Sequence, residues 1–262
     1  MSAPAIAVES LELKLGGTII LDGVSFEVAH GEYLSVIGPN GAGKSTLLRA
    51  LDGLLEPTRG RVVLGGTPLA ALSRRQLARM ISYVPQDDAR HLPFTVGSFV
   101  DMGRYSHLRG WGALTADDLA AVRFALEVTE TTPLHDRPIS SLSGGERQRV
   151  MIAAALAQGG SILLLDEPTA FLDYRHQVQI LDLLDRLRRT SGLTIVAVTH
   201  DLNSATAAGS AVLALRQGRV AFHGPPAEVV TESRLAHIYG TEFELVVSGQ
   251  RALPLVLPRR QG

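Results

Sequence analysis

Cysteine is absent from the 262-residue sequence. Its absence excludes disulfide bonds, thiolate metal sites and cysteine nucleophiles, and it suits a reducing compartment. The sequence also has no excess charge of either sign, because 25 lysine and arginine residues are balanced by 26 aspartate and glutamate residues. A net charge of -1 provides no overall field that attracts nucleic acid or anionic lipid, so no nucleic-acid partner is expected. A polyanionic ligand would need a local binding site.

Long hydrophobic runs are missing as well. Residues 1–10 lack the basic start and apolar core of a signal peptide, so secretion is not expected. The most apolar stretch, residues 151–165, is interrupted by Gln158, Gly159 and Gly160. It is shorter than the roughly 20 residues that a membrane-spanning helix needs. Any function at a membrane is expected to be performed from its surface.

The apolar patterns predict strands that alternate with helices, which is typical of an α/β fold. Two antiparallel strands are predicted at residues 5–15 and 24–28. A buried strand at Tyr33–Ile37 is predicted to end at Gly38, and a helix to begin at Gly43.

A helical region is predicted to interrupt the strands. Residues 92–158 carry helical patterns, notably at Ala116–Val128, before a strand at residues 162–165. The next helix has apolar residues close to helical spacing: Val178, Leu181, Leu184 and Leu187. A β-branched run at residues 193–198 then predicts a buried parallel strand. We expect a single domain with a core of residues 1–91 and 159–240, a helical subdomain of residues 92–158 and a short β-rich tail of residues 241–262.

A phosphate-loop pattern follows the buried strand. Two glycines flank four residues and are followed by lysine and serine: Gly38, Pro39, Asn40, Gly41, Ala42, Gly43, Lys44 and Ser45. Between a strand and a helix, the N–H groups of this loop can face a phosphate, and we include Thr46 in the binding segment. Lys44 is predicted to reach the β- and γ-phosphates, and Ser45 to offer its hydroxyl to Mg²⁺. A glycine-rich turn with a solvated lysine is the alternative.

Two consecutive carboxylates, Asp166 and Glu167, follow the strand predicted at residues 162–165. They lie at the carboxyl edge, where open α/β sheets place ligands. Asp166 is predicted to bind Mg²⁺ through water, and Glu167 to orient or deprotonate the water that attacks the γ-phosphate. Either carboxylate could instead cap a helix.

A third motif makes the family resemblance specific. It resembles the signature motif of ATP-binding cassette (ABC) ATPases and reads Leu142, Ser143, Gly144, Gly145, Glu146, Arg147 and Gln148. The serine and glycines precede a helix predicted at residues 146–157, which is an anion-binding arrangement. Ser143 and Glu146 also fit a capping box, which is the alternative. In this family, two cassettes pack head to tail, and each signature motif closes on ATP held by the other.

The resemblance covers about residues 6–240. It implies a P-loop NTPase cassette with a RecA-like core, an N-terminal antiparallel β subdomain and an inserted α-helical subdomain. It also implies ATP and Mg²⁺ as cofactors and a second copy of the chain as a partner, because each chain carries one phosphate loop and one signature motif.

Three further residues match family motifs in the expected order. Gln86, after a predicted strand at Ile81–Val84, matches the glutamine that senses Mg²⁺ and the attacking water. Asp173 matches the D-loop aspartate, and His200 matches the switch histidine that contacts the γ-phosphate. The alternatives are a surface amide for Gln86 and a structural role for His200. The resemblance thus implies four catalytic residues, Lys44, Gln86, Glu167 and His200, and three metal-site residues, Ser45, Gln86 and Asp166.

Two residues depart from the family pattern. Leu15 stands where many cassettes have an aromatic residue that stacks on adenine. One alternative is that Leu15 packs against the base, which predicts weaker discrimination between ATP and GTP; the other is that a different residue supplies the ring. Phe171 replaces a small D-loop residue. The remaining histidines have no ligand spacing, so no further metal site is expected: His30, His91, His107, His135, His176, His223 and His237.

The resemblance is to importers in particular. Only a short tail follows His200, and a single cassette is present without coiled coils. Residues 93–96, 102–107, 174–177 and 238–240 resemble the cassettes of iron-chelate, haem and cobalamin importers. The segment after Gln86 is where family permeases dock, although its apolar residues could also be ordinary subdomain core.

The resemblance therefore implies an importer ATPase at the cytoplasmic face of the cell membrane, bound peripherally. Its implied partners are a second copy, two transmembrane permease subunits and, indirectly, an extracytoplasmic substrate-binding protein. The leading cargo is a ferric siderophore, with haem or cobalamin next. The alternatives are a soluble ABC-type ATPase without a permease and a small-molecule kinase; the signature motif and Glu167 oppose the latter.

Overall fold

The computed structural model describes residues 3–86, 91–108, 112–247, 249 and 252–259. These residues form two compact units. The first unit combines Met1–Ala71 with Thr194–Gly262, and the second is Leu72–Leu193. The predicted helical subdomain lies within the second unit. Parts of that subdomain and of the predicted tail lie outside the described residues, and the predicted subdomain boundaries stay predictions.

The strands are numbered along the chain as β1 (Ile6–Leu15), β2 (Thr18–Val28), β3 (Tyr33–Ile37), β4 (Arg59–Leu64), β5 (Thr67–Pro68), β6 (Ile81–Val84), β7 (Ile162–Asp166), β8 (Thr194–Val198), β9 (Ala211–Arg216), β10 (Arg219–Gly224), β11 (Phe243–Val246) and β12 (Leu255–Pro258). The α-helices are α1 (Lys44–Leu51), α2 (Arg74–Leu77), α3 (Val96–Met102), α4 (Ala116–Val128), α5 (Gly144–Ala157), α6 (Tyr174–Ser191), α7 (Leu202–Ala208), α8 (Pro226–Val229) and α9 (Glu232–Tyr239).

The first unit contains an antiparallel sheet and a parallel strand group. The antiparallel sheet has the order β2-β1-β4-β5. In the other group, β3 lies between β8 and β9 and is parallel to both, while β10 pairs antiparallel with β9. Every residue of β3 and β8 is buried, as expected for parallel strands covered on both faces. The strands β11 and β12 form a hairpin at the end of this unit.

The second unit builds its core from a strand pair and a group of helices. Strands β6 and β7 are parallel. Helices α3, α4 and α5 pack around a buried cluster that includes Val100, Val122 and Val150. Helix α4 is fixed at its start by a capping box between Thr115 and Asp118.

Most predicted elements are confirmed, some of them residue for residue. The bounds of β3, β6 and α4 agree with the prediction. The strand predicted at residues 24–28 begins earlier, at Thr18, because it continues along β1 from the turn that joins them. The helix predicted from Glu146 begins at Gly144, since Ser143 is its N-cap. Within the part of the chain that the structure describes, no helix is long and apolar enough to span a membrane.

Candidate active site

The phosphate-loop residues lie between β3 and α1, as predicted. Gly43 is the N-cap of α1 and has a φ of 97°, a left-handed conformation that favours glycine. A Cβ at this position would lie 2.8 Å from the Leu21 Cδ2 atom and 3.0 Å from the Ile20 carbonyl oxygen. The turn therefore has room only for glycine, and Ser45 and Thr46 follow it in the first helical turn.

Lys44 is buried, and its ammonium group lies over the start of the loop. The Nζ atom donates to the Gly38 carbonyl at 2.8 Å and to the Pro39 carbonyl at 3.0 Å. A phosphate oxygen is a stronger acceptor than a neutral carbonyl. The loop thus holds a positive charge that can transfer its hydrogen bonds to an incoming phosphate.

His200 follows the strand beside β3. Val36 of β3 is opposite Val198 of β8, and the Thr199 amide donates to the Val36 carbonyl at 3.1 Å. Since the two strands are parallel, Gly38 and His200 each follow these paired residues by two positions. The phosphate loop and the exposed His200 therefore begin from the same edge of the sheet.

In the second unit, the pairing of two parallel strands likewise places Gln86 beside Glu167. Val84 is opposite Leu165 in the parallel pair β6 and β7, and each predicted site residue lies two positions further on. The Gln86 Nε2 atom donates to the Glu167 Oε2 atom at 3.1 Å. An amide donor can fix the direction of a carboxylate without neutralising its charge. The pair is suited to hold a general base in place.

Asp166 is the last residue of β7 and is only 3% exposed. The Tyr83 hydroxyl donates to its Oδ2 atom across 3.4 Å. Glu167 follows with a φ of 52°, which is uncommon for a residue other than glycine. The chain thus turns sharply between the two carboxylates. Tyr83 did not figure among the predicted residues; the available signal was a tyrosine in the strand that precedes Gln86.

The signature residues lie at the start of α5. Ser143 is the N-cap, and the predicted capping box with Glu146 is present. The hydrogen bond from the Ser143 backbone lowers the pKa of the Glu146 carboxyl group. The alternative of a helix cap is therefore confirmed as local structure. Ser143 and Gly144 nevertheless stay exposed, so the start of the helix is open to a further ligand.

Asp173 caps α6 and lies near the signature helix. Its carboxylate accepts hydrogen bonds from the His176 amide at 2.9 Å and pairs with the His176 ring at 2.8 Å. The hydrogen bond from the His176 backbone is the main cause that lowers the pKa of Asp173. His176 leaves no space for a side chain at Gly145, where a Cβ would lie 2.2 Å from the imidazole.

The two residues that depart from the family pattern are both exposed. Phe171 has a φ of 61° and is 91% exposed, and Leu15 is 44% exposed. Among the residues that the structure describes, no group of three or more histidine, aspartate or glutamate side chains is placed to hold a metal ion. The predicted residues are divided between the units: Gly38–Thr46 and His200 are in the first, and Gln86, Ser143–Gly145, Asp166, Glu167 and Asp173 are in the second.

Known proteins are similar in sequence to this chain over nearly its full length. The ABC transporter family profile matches residues 21–170. The iron(3+)-hydroxamate import ATP-binding protein FhuC of Bacillus subtilis (strain 168) is 38% identical over 97% of this chain and 94% of its own. The hemin import ATP-binding protein HmuV of Thermobifida fusca (strain YX) is 45% identical over 95% of this chain and 87% of its own.

Solved structures agree with these matches. One, described as a metal-chelate type ABC transporter in an inward-facing conformation, has a TM-score of 0.86 and 28% identity, with 99% of both chains covered. The ATP-binding cassette MJ0796, a dimer in a post-hydrolysis state with ADP and phosphate, has a TM-score of 0.74 and 30% identity, covering 84% of this chain and 98% of its own. The chain therefore belongs to the ABC transporter family, as one of its ATP-binding, ATP-hydrolysing proteins.

Proposed function

We propose that this ATPase is the energy-supplying subunit of an importer for a metal chelate. The observation that carries the proposal is the match to FhuC over 97% of the chain. The similarity to HmuV and to a metal-chelate type transporter points to the same class of cargo. A ferric siderophore is the leading candidate, with haem or cobalamin next.

In the proposed reaction, Glu167 is the general base for the attacking water. The amide of Gln86 supports this role, because its hydrogen bond at 3.1 Å limits the directions in which the carboxylate can turn. Lys44 binds the β- and γ-phosphates after it leaves the carbonyls of Gly38 and Pro39. His200 contacts the γ-phosphate and stabilises the charge that develops on it.

Mg²⁺ fits the donor atoms that the chain offers. Ser45 supplies a hydroxyl, Gln86 an amide oxygen and Asp166 a buried carboxylate, all of which are the hard oxygen ligands that Mg²⁺ prefers. The ion would be shared with the nucleotide, whose phosphate charge it would neutralise. The hydrogen bond between Tyr83 and Asp166 supports a fixed orientation of that carboxylate.

We further propose that two copies close on ATP. Ser143 and Gly144 are exposed at the start of α5 and can bind an anion, while the same helix end is already stabilised by Glu146. Asp173 is the N-cap of α6, the next helix along the chain after α5. The dimeric state of the cassette MJ0796 supports a head-to-tail pair here.

The two copies would close when ATP binds and separate after hydrolysis. This movement would be passed through the helical region of residues 92–158 to two permease subunits at the cytoplasmic face of the membrane.

The importer proposal is tested by identifying the proteins that co-purify with the chain while it is trapped with ATP bound. Tagged Glu167→Gln protein is held with Mg-ATP in detergent extracts of its native cells, and the bound proteins are identified by mass spectrometry. A multi-spanning permease is the expected partner. The matched control adds Lys44→Ala, which removes ATP binding and should lower the recovery of the closed complex.

Recovery of soluble partners alone, from an intact ATP-bound dimer, would contradict the importer and support an ABC-type ATPase that acts without a permease.

The cargo is tested separately. Cells that lack the chain are compared with cells that contain it for uptake of a ferric siderophore, haem and cobalamin. Loss of siderophore uptake alone is the expected result.

A further inference from the structure

The residues Ile238, Tyr239 and Gly240 resemble an importer motif, but the catalytic roles above leave them without a function. Tyr239 is the last residue of α9, and Gly240 ends the helix with a φ of 71°. The Tyr239 hydroxyl accepts a hydrogen bond from the Gly38 amide at 3.2 Å. A side chain near the end of the sequence thus contacts the first residue of the phosphate loop.

Gly38 is constrained by its backbone conformation, by the nearby Leu215 carbonyl and by hydrogen bonds of its own amide and carbonyl groups. Its φ is 142°, and a Cβ would lie 2.1 Å from the Leu215 carbonyl oxygen. The carbonyl of Gly38 accepts a hydrogen bond from Lys44, while its amide donates to Tyr239. The Tyr239 hydroxyl therefore fixes the peptide group that leads into the loop. Through Gly38 it also helps to position the carbonyl that accepts the hydrogen bond of Lys44.

Tyr239 is itself held in place by the terminal hairpin. The Phe243 ring of β11 lies edge to face against the Tyr239 ring, with centroids 5.6 Å apart. The partner strand β12 is tied to α7, since Asn203 and the Val256 backbone exchange hydrogen bonds at 3.1 and 2.9 Å. Burial raises the pKa of the Tyr239 hydroxyl to about 12, against the opposing effect of its hydrogen bond with Gly38. The hydroxyl is therefore neutral at physiological pH.

We propose that Tyr239 is a positioning residue for the phosphate loop, acting through the Gly38 amide, and that Phe243 holds it in position. Its hydroxyl acts through the backbone of the loop, at the Gly38 amide. The hydrogen bond fixes the loop before ATP arrives, so that less ordering remains to be done on binding. This inference goes beyond the proposed import function and depends only on ATP binding by the loop.

The test is the variant Tyr239→Phe, which removes the hydroxyl and keeps the ring against Phe243. ATP affinity is measured with a fluorescent ATP analogue, and kcat and KM are measured from phosphate release. With the Gly38 amide unsatisfied and the loop less ordered, we expect Kd and KM to rise about three- to tenfold, with kcat within about twofold of the wild type. The melting temperature should change little. Tyr105→Phe, at an exposed tyrosine of the second unit, is the matched control and should leave all values unchanged.

A second variant tests the contribution of the hairpin. Phe243→Leu should raise KM in the wild-type background but have little further effect in Tyr239→Phe, because both act through one contact. An unchanged KM in Tyr239→Phe would overturn the proposal. So would a parallel loss of kcat, affinity and thermal stability, which indicates a structural role. Lys44→Ala shows whether the phosphate loop binds ATP at all, and so separates failure of this inference from failure of that assignment.

Discussion

At Glu167 the backbone adopts a left-handed conformation that places its carboxylate beside Gln86 rather than along the strand. Asp166, one residue earlier, stays buried at the strand end. Two identical functional groups thus have different surroundings, which suits one as a metal ligand and the other as a base. Residues in such uncommon conformations are often found at functional sites.

Replacement of the proposed base Glu167 should separate ATP binding from ATP hydrolysis. Glu167→Gln keeps the shape of the side chain but cannot accept a proton, so we expect kcat to fall by about 100-fold or more with ATP affinity retained. Phosphate release and equilibrium ATP binding measure the two effects. Glu127→Gln, at an exposed glutamate on α4, is the control. Undiminished turnover in Glu167→Gln would remove Glu167 from its proposed role.

Asp118 should make stability depend on acid pH. The Thr115 side chain and backbone, followed by Arg104, lower the pKa of its carboxyl group to about 2 by hydrogen bonding. Because the pKa is lower in the folded protein, the stabilisation is present above about pH 4 and is lost as the pH falls towards about 2. The melting temperature of wild type should therefore exceed that of Asp118→Asn by a few degrees at neutral pH, and this difference should shrink below about pH 4 and be lost near pH 2.

The neighbouring residue supplies the control for this pH experiment. Asp117→Asn changes an exposed carboxylate on the same helix turn and should follow the wild type at every pH. A difference between wild type and Asp118→Asn that persists unchanged down to pH 2 would contradict the assignment.

At the scale of elements, the capping role of Ser143 can be separated from its proposed role in binding the partner's ATP. Ser143→Ala removes the cap of α5 and should cost about 1 kcal/mol of stability. Ser143→Asp keeps a capping side chain but adds a negative charge where the partner's ATP is proposed to lie. We expect its unfolding free energy to stay close to that of wild type, while ATPase activity falls roughly tenfold or more. Normal activity in Ser143→Asp would leave the residue with a capping role alone.

Helix α6 confirms the predicted helix, but the spacing of its apolar residues does not identify the buried face. The apolar residues at close to helical spacing included Val178, but this residue is 57% exposed. The buried face consists of Ile180, Leu183, Leu184 and Leu187, which follow the helical period of 3.6 residues, whereas the predicted series repeats every three. Apolar residues lie on both faces of α6, so the sequence did not show which face is buried.

The two faces of this helix predict different mutational costs. Leu184 is fully buried, so Leu184→Ala should destabilise the protein by about 2–5 kcal/mol. Val178→Ala, at the exposed position, should cost less than about 0.5 kcal/mol. Urea denaturation measures both variants. Equal costs would contradict the burial described for α6.

At the scale of the whole molecule, the sequence predicted local features better than distant ones. The phosphate loop, the acidic pair and the signature motif are contiguous, so each could be read from a single segment. The contact between Tyr239 and Gly38 joins residues separated by 201 positions, and no local pattern indicates such a pairing. The pairing of Gln86 with Glu167 was likewise accessible only through the strand register.

Activity should depend on association of two copies. Each chain carries one phosphate loop and one signature motif, so dilution should lower the ATPase rate per molecule. Light scattering should give a doubled mass for Glu167→Gln with Mg-ATP, and a single mass for the same variant carrying Ser143→Asp. A single mass for ATP-saturated Glu167→Gln would contradict the head-to-tail dimer.

The position of β3 between β8 and β9 also has a consequence for biosynthesis. The strand that carries the phosphate loop is translated early, but both of its neighbours come from the segment after residue 193. A nascent chain emerging from the ribosome must therefore keep this apolar strand unpaired while the whole second unit is made. Truncated translation products that stop before β8 would expose it, which makes them substrates for chaperones and proteases rather than partly active enzymes.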